Sequence, residues 1–236
     1  MMPEKAFILA AGYGKRLRPY TDHCPKPMVQ VAGRSLIDRT LDHLQKAGVR
    51  DVTVNAHYMS DVLIDHLQQR KSPSLRFSRE EELLDTGGGI KKALKNFGPE
   101  PFFVLSGDGL WENAPGQSTL QQMATAWNAA HMDILILLQP VSSMKLTGGA
   151  GDYDIDAQGR ARRSADKTGA YMFTSMRINT PEIFKATPDA AFSYLELLDR
   201  AEEKGRLYGL VHAGNWHHIS TPEDLESVNA AYKAAS

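Results

Sequence analysis

The chain has a single cysteine, Cys24, in 236 residues. One thiol cannot close an intramolecular disulfide, so a disulfide scaffold is excluded and a reducing, cytoplasmic setting is expected. Nothing near Cys24 suggests a Cys/His catalytic set, so it reads as a bystander. Long apolar runs are missing too. The longest, Ile134 to Leu138, is far short of the roughly 20 residues that cross a bilayer, so no membrane partner is expected. The opening Met-Met-Pro-Glu-Lys lacks the charged-then-apolar plan of a signal peptide. Neither sign of charge is in excess: 27 Lys and Arg against 28 Asp and Glu give a net charge of −1. No global basic field therefore argues for nucleic acid, and the interleaved aromatic and basic strips of single-strand binders are absent. There are no repeats, low-complexity segments or long linkers. The length suffices to bury a large core in one α/β domain.

What is present is concentrated in the first thirty residues. The run Ala6-Phe7-Ile8-Leu9-Ala10 passes into Ala11-Gly12-Tyr13-Gly14, then Lys15, Arg16 and Arg18, then Pro25-Lys26-Pro27. A buried strand thus empties into a cationic, glycine-rich loop. Gly12 and Gly14 carry no Cβ, so backbone amides can approach a ligand and φ can turn positive. Successive amides in such a turn form an anion-binding concavity. Arg16 can fork two donors onto phosphate oxygens, while Lys15 and Lys26 act as point charges. Pro25 and Pro27 hold the backbone around Lys26. The loop suits a polyanion, a nucleoside triphosphate being the natural candidate. It is neither of two familiar phosphate loops. The dinucleotide pattern needs a small residue where Leu17 stands, and the P-loop needs Gly at Leu9 and Ser or Thr at Arg16. The competing reading is a turn with a solvated basic face.

Through residue 140 strand and helix patterns alternate. Strands are expected at 6–10, 52–55, 75–78, 102–105 and 134–138. Helices are expected from the Ser35 cap to Gly48, from a Ser60 cap through Leu67, at 90–97 after a glycine triplet, and at 119–130. This predicts an α/β fold whose mostly parallel sheet is covered on both faces. After Pro140 a hairpin is expected around Ala157-Gln-Gly159, strands at 170–173 and 207–211, a helix capped by Ser193 and ended by Gly205, and a last helix opened by Pro222.

Four further stretches bear chemistry. In Leu84-Asp-Thr-Gly-Gly-Gly-Ile-Lys-Lys92, three glycines at a loop-to-helix junction would expose amides at a helix N-terminus, or let a flat base lie against the backbone; a flexible helix entry is the bland alternative. Val104-Leu-Ser-Gly-Asp-Gly109 puts a carboxylate directly after a buried strand, where open α/β sheets bind ligands. Asp108 would there be a hard oxygen ligand for Mg²⁺, against an Asx-type turn as the alternative. In Gly149-Ala-Gly-Asp-Tyr153, Asp152 could bond sugar hydroxyls with Gly151 giving close approach, or the stretch is a surface turn. The fourth is Asn215-Trp-His-His-Ile-Ser-Thr-Pro-Glu-Asp224.

Leu9-Ala-Ala-Gly-x-Gly-x-Arg-Leu-x-Pro-x-Thr21 followed by Pro25-Lys-Pro27 resembles the signature of sugar-1-phosphate nucleotidyltransferases. The pattern is long and specific, and the likeness extends with decreasing clarity over nearly the whole chain. Asp85-Thr-Gly-Gly-Gly89 is similar to the Glu-Thr-Gly-Gly-Gly of N-acetylmuramate-1-phosphate uridylyltransferases, enzymes of cell-wall recycling. The resemblance implies a Rossmann-like three-layer αβα nucleotidyltransferase fold, with a mostly parallel mixed sheet and a small sugar-side extension. Residues 1–236 would form one domain, 1–140 its nucleotide-binding half and 141–236 its sugar-binding half. It implies nucleotide contacts at Leu9, Ala10, Ala11, Gly12, Gly14, Lys15, Thr86, Gly87 and Gly88. Arg16, Lys26 and Asp108 would be catalytic, with Gly151 and Asp152 on the sugar.

In this family the fourth stretch usually reads Trp-x-Asp-x-Gly-Thr, and its Asp is the second Mg²⁺ ligand. Here that position is His218, and the Gly is Ser220. A neutral imidazole suits Mn²⁺, Co²⁺ or Zn²⁺ better than Mg²⁺. His218 binds the metal, approaches it through water, or leaves Asp108 to hold it with substrate phosphates; the three stay open. The implied activity is transfer from an NTP, UTP by this likeness, to a sugar 1-phosphate with release of pyrophosphate. The runner-up is a mannose- or heptose-1-phosphate guanylyltransferase. A non-catalytic sugar-nucleotide-binding regulatory protein is the reading from another class. A homo-oligomer stays open.

Overall fold

A computed structural model describes residues 2–234. Strands β1 (Lys5–Leu9), β2 (Gln30–Val31) and β3 (Arg34–Ser35) precede helix α1 (Leu36–Ala47). Then come β4 (Asp51–Ala56), α2 (Ser60–Leu67), β5 (Ser74–Arg79), α3 (Asp85–Lys92), β6 (Phe102–Ser106), β7 (Leu110–Glu112) and α4 (Thr119–Ala126). The second half carries β8 (Ile134–Pro140), β9 (Tyr153–Ile155), β10 (Ala161–Arg163), β11 (Tyr171–Asn179), α5 (Leu195–Glu203), β12 (Leu207–Val211), β13 (Asn215–His217) and α6 (Pro222–Ala234).

The main sheet runs β5-β4-β1-β6-β11-β8-β12, with the β9–β10 hairpin joined to β11 through Tyr153 and Tyr171. β1 is parallel to β4 and β6, β4 to β5, and β8 to β12, while β11 is antiparallel to β6 and β8. β5, β4, β1, β6, β8 and β12 therefore share one direction, as the continuous apolar strand runs suggested. Within this row of seven strands β11 is inserted against it, and β10 of the attached hairpin also runs in the β11 direction. The register of β11 shifts between Phe173 and Arg177, where Ser175 holds φ +64°.

Alternation along the strands splits the core between two faces. Ala6, Ile8 and Ala10 pack with α1, α2 and α4 through residues such as Leu41, Leu63 and Met123. Phe7, Phe102 and Val104 pack on the other face with Ile90 of α3 and Leu197 and Leu198 of α5. This is the three-layer arrangement expected.

Local chemistry sets the helix ends. The Ser35 hydroxyl accepts from the Asp38 amide at 3.1 Å, and Gly48 closes α1 at φ +93°. Several boundaries depart from expectation; α5 begins after Tyr194 rather than at a Ser193 cap, and the strand expected at 170–173 continues as β11 to Asn179. Met59, at φ +50°, precedes α2, and Ser60 is its first residue and caps nothing. α4 stops at Ala126 because Trp127 turns extended, so 127–130 are not helical. The glycine triplet lies inside α3, not ahead of it. β7 and β13 form a separate antiparallel pair, Trp111 opposite Trp216, that the sequence reading omitted. That pair carries residue 218 toward residue 108. No helix among the described residues is long and apolar enough to cross a membrane.

Candidate active site

The loops at the carboxyl ends of β1 and β6 open onto a cavity of about 570 Å³. That is ample for a nucleotide with a small second substrate. Leu9, Ala10, Ala11, Gly12, Gly14, Lys26, Thr86, Asp108 and Asp152 line it, as expected of candidate site residues. Lys15, Arg16, Gly87, Gly88, Gly151 and His218 are not on its wall.

The first loop is held from behind. The Ala10 amide donates to Asn55 Oδ1 at 2.7 Å, Asn55 Nδ2 donates to buried Glu80 at 2.7 Å, and the Leu84 amide donates to the other Glu80 oxygen at 3.0 Å. One buried carboxylate thus ties the loops that follow β1 and β5 together, and neither Asn55 nor Glu80 was anticipated. Gly14 adopts φ +64°, and a Cβ there would stand 3.0 Å from Lys26 Cβ and Thr21 Cγ2. Both the dihedral and the space therefore ask for glycine. Gly12 has an ordinary φ, and nothing lies within 4 Å of its Cβ direction. Lys15 and Arg16 begin an exposed 3₁₀ turn, Lys15–Leu17.

Lys26 sits in a second 3₁₀ turn after extended Pro25, and its ammonium bonds directly to Asp108. The Ser106 hydroxyl donates to the other Asp108 oxygen. Burial alone would raise the Asp108 carboxyl; Lys26 and Ser106 outweigh it and hold it below the usual carboxylate range. His218 lies in the same electrostatic field. Its burial, then Lys26, lower its pKa; Asp108 and Asp224 oppose this, and Arg16 adds to the lowering. Its amide donates to Thr147 Oγ1 at 3.0 Å. The half-buried Cys24 thiol is raised by burial, which makes it a poor nucleophile.

The glycines of α3 serve packing. The Gly87 and Gly88 amides donate to the Phe192 carbonyl at 2.9 and 3.2 Å, so they are not open to an anion. A Cβ on Gly87 would fall 2.3 Å from the Phe192 ring, on Gly88 2.6 Å from the Ala190 carbonyl oxygen, and on Gly89 2.6 Å from Glu80. Among these neighbours Thr86 faces the cavity, and its hydroxyl accepts from the Tyr194 amide at 2.9 Å. Gly151 has a similar explanation, since a Cβ would overlap the Gly169 carbonyl at 1.9 Å. Asp152 accepts from Lys167 at 2.6 Å and from the Phe173 amide at 3.0 Å. Beyond it the wall is formed by Tyr153, Phe173, Tyr194 and Leu198, with Arg177 among them.

The family model described as "Nucleotidyl transferase" matches residues 5–152. The chain belongs to the nucleotidyl transferase family. It is 36% identical over 227 residues to an N-acetylmuramate alpha-1-phosphate uridylyltransferase of Caulobacter vibrioides, covering 94% of this chain and 93% of that one. A protein of the same name from Neisseria meningitidis serogroup B is 28% identical over 230 residues, covering 96% and 97%. The fold matches HddC from Yersinia pseudotuberculosis with a TM-score of 0.77 at 24% identity, over 97% of this chain and 99% of that one. The resemblance to sugar-1-phosphate nucleotidyltransferases is therefore correct, and this nucleotidyl transferase carries the family's αβα fold.

Members of the family generally work with a divalent metal, and the donors here can be weighed against one. Among the described residues no three His, Cys, Asp or Glu side chains converge as a metal-binding group. At the Lys26 end the nucleotidyl transferase site offers the carboxylate of Asp108, already shared with Lys26, and the imidazole of His218 in the same field, while Asp85 and Asp152 line the cavity elsewhere. Such a set fits an ion of the Mg²⁺ type, which binds through one or two carboxylates plus substrate phosphates. It does not fit a metal caged by protein alone.

Proposed function

We propose that the chain transfers a uridylyl group from UTP to N-acetylmuramate 1-phosphate, releasing pyrophosphate, in cell-wall recycling within the cytoplasm. The Lys26–Asp108 pair carries the reading: it sits at the carboxyl ends of β1 and β6, beside the 9–14 loop, on the wall of one cavity. Such a site needs no covalent nucleophile; positioning and charge stabilisation suffice.

An oxygen of the sugar phosphate attacks the α-phosphorus in line. The new P–O bond forms as the bond from the α-phosphorus to the β-bridging oxygen breaks, and the electron pair leaves on pyrophosphate. The amides of Gly12 and Gly14 and the Lys15 ammonium receive the triphosphate. Arg16 steadies the β- and γ-phosphates and the leaving group. Lys26 draws charge from the α-phosphate, and Asp108 fixes Lys26 in place. When bound, a divalent ion on Asp108 and the substrate phosphates would neutralise charge developing in the transfer. Thr86 and its backbone face the base. Asp152, anchored on Lys167, faces the sugar. Gly87, Gly88 and Gly151 contribute the close packing that shapes these walls.

The test is pyrophosphate release with UTP, GTP, CTP and dTTP against N-acetylmuramate, mannose and glucose 1-phosphates. UTP with N-acetylmuramate 1-phosphate should lead. A preference for GTP with mannose 1-phosphate would move the reading to a guanylyltransferase. Nucleotide binding without turnover over Mg²⁺, Mn²⁺ and Co²⁺ would make the chain a regulatory binder.

A further inference from the structure

Three cations of the cavity have carboxylate partners. Lys26 pairs with Asp108, Lys167 with Asp152 at 2.6 Å, and Arg163 with Asp199 at 3.3 Å. Arg177 has no acidic partner among the described residues, although it is 3% exposed. Its Nη1 donates to the Ser175 carbonyl at 3.3 Å, while Nε and Nη2 have no hydrogen-bond partner. The Tyr194 ring lies 3.7 Å from the guanidinium carbon. Tyr194 supplies no countercharge: burial raises its phenol, the adjacent Arg177 guanidinium opposes this only in part, and its OH donates to Asn179 at 2.7 Å. A cation–π contact offsets only part of the cost of burying a lone charge.

The strand β11 places this charge on the cavity wall. Phe173, Ser175 and Arg177 follow one another at two-residue spacing on β11, and all three line the cavity. Arg177 stands opposite Val104, two residues before Ser106 and so roughly 7 Å toward the amino end of β6. It is thus set back from the Lys26–Asp108 end, where the phosphates react, and lies in the lobe formed with Tyr153 and Tyr194.

We propose that Arg177 determines acceptor specificity by receiving a carboxylate carried on the sugar ring of the sugar 1-phosphate. The site then takes an acidic sugar phosphate over a neutral one. This rests on the nucleotidyl-transfer reading given above. A carboxylate offers two acceptors to the two unpartnered donors, in the forked geometry that guanidinium prefers. A neutral sugar leaves the buried charge unpaired.

Two acceptors separate the possibilities, N-acetylmuramate 1-phosphate and N-acetylglucosamine 1-phosphate, which differ by one lactyl ether carboxylate. Wild type should favour the acidic one. Arg177→Met keeps bulk and removes the charge. It should raise KM for the acidic acceptor on the order of 10- to 100-fold, at least tenfold more than for the neutral one, with kcat less affected. Because a lone buried charge is removed, its Tm should rise, which a structural arginine would not show. A lower Tm with equal loss on both acceptors overturns the proposal. A second measurement needs no variant: wild type should use the carboxamide of N-acetylmuramate 1-phosphate no better than the neutral acceptor, and equal use of acid and amide overturns the proposal. If wild type turns over both acceptors without preference, Arg177 loses this role and nucleotidyl transfer stands. If it turns over neither with any NTP, the functional reading falls and the acceptor role falls with it.

Discussion

Asp108 shows how one side chain can be tied to two tasks. Its oxygens are engaged by Lys26 and Ser106, yet it faces the cavity where phosphates would enter. Removing a preorganised charge of this kind typically costs on the order of 10²–10³ in rate. Asp108→Asn and Lys26→Ala should each fall that far in kcat for pyrophosphate release while keeping a native circular dichroism spectrum; near-normal rates from folded variants would remove the pair from the chemistry. Both residues were legible in the sequence, because a carboxylate after a strand and a lysine between prolines carry their geometry locally. Glu80 and Arg177 were not. Glu80 begins the run Glu80-Glu81-Glu82, which reads as solvated, yet it is buried, held by Asn55 from the neighbouring strand β4 and by the Leu84 amide four residues on. Arg177 lies beyond the strand expected at 170–173, past the register shift in β11, and its isolation depends on β6 and Tyr194 packing against it.

At the scale of elements, α3 and the β12–β13 turn carry the next two expectations. Gly88 packs its Cα against backbone at residues 190–191, which cannot yield as a side chain can. Gly88→Ala should therefore destabilise the fold by about 1–3 kcal/mol, read from urea unfolding; an unchanged midpoint would mean that the 190–193 segment moves freely. The sequence placed the triplet before the helix because glycine is a poor helix former. The contacts with Phe192 and Ala190 that override this propensity come from about a hundred residues downstream. In the β12–β13 turn, His212 is buried, with Nε2 toward the Asn215 carbonyl at 3.3 Å and Nδ1 accepting from the Gly214 amide at 3.4 Å. Burial lowers its pKa, and the Asn215 carbonyl only partly opposes this. The neutral ring is thus favoured in the folded state. Its stabilisation is complete above the ordinary histidine value near 6.5, and falls as pH drops below it, because the unfolded chain then binds the proton more readily. Tm should fall between pH 7.5 and 5.5, and His212→Gln, which keeps a donor and an acceptor, should lose part of that fall. An equal slope in wild type and variant would exclude His212 as a source.

Across the whole molecule, the parallel half of the sheet was readable because apolar runs such as β1, β4 and β6 alternate along the chain with helical patterns. The insertion of β11 and the pairing of β7 with β13 were not, since both depend on partners far apart in sequence. These non-local elements complete the site. β11 supplies the wall of Phe173, Ser175 and Arg177, and β13 brings His218 into the field of Lys26 and Asp108. The motif at residues 9–27 marks one side of the cavity, and the β11 side emerges only from the fold. The central claim, metal-supported transfer of a nucleotidyl group to a sugar 1-phosphate, is tested most directly by pyrophosphate release from the purified chain with UTP, N-acetylmuramate 1-phosphate and Mg²⁺. Stoichiometric pyrophosphate and a UDP-linked sugar, both lost in Asp108→Asn, are the expected result. A folded protein that binds UTP but releases no pyrophosphate with any sugar 1-phosphate over Mg²⁺, Mn²⁺ or Co²⁺ would contradict it.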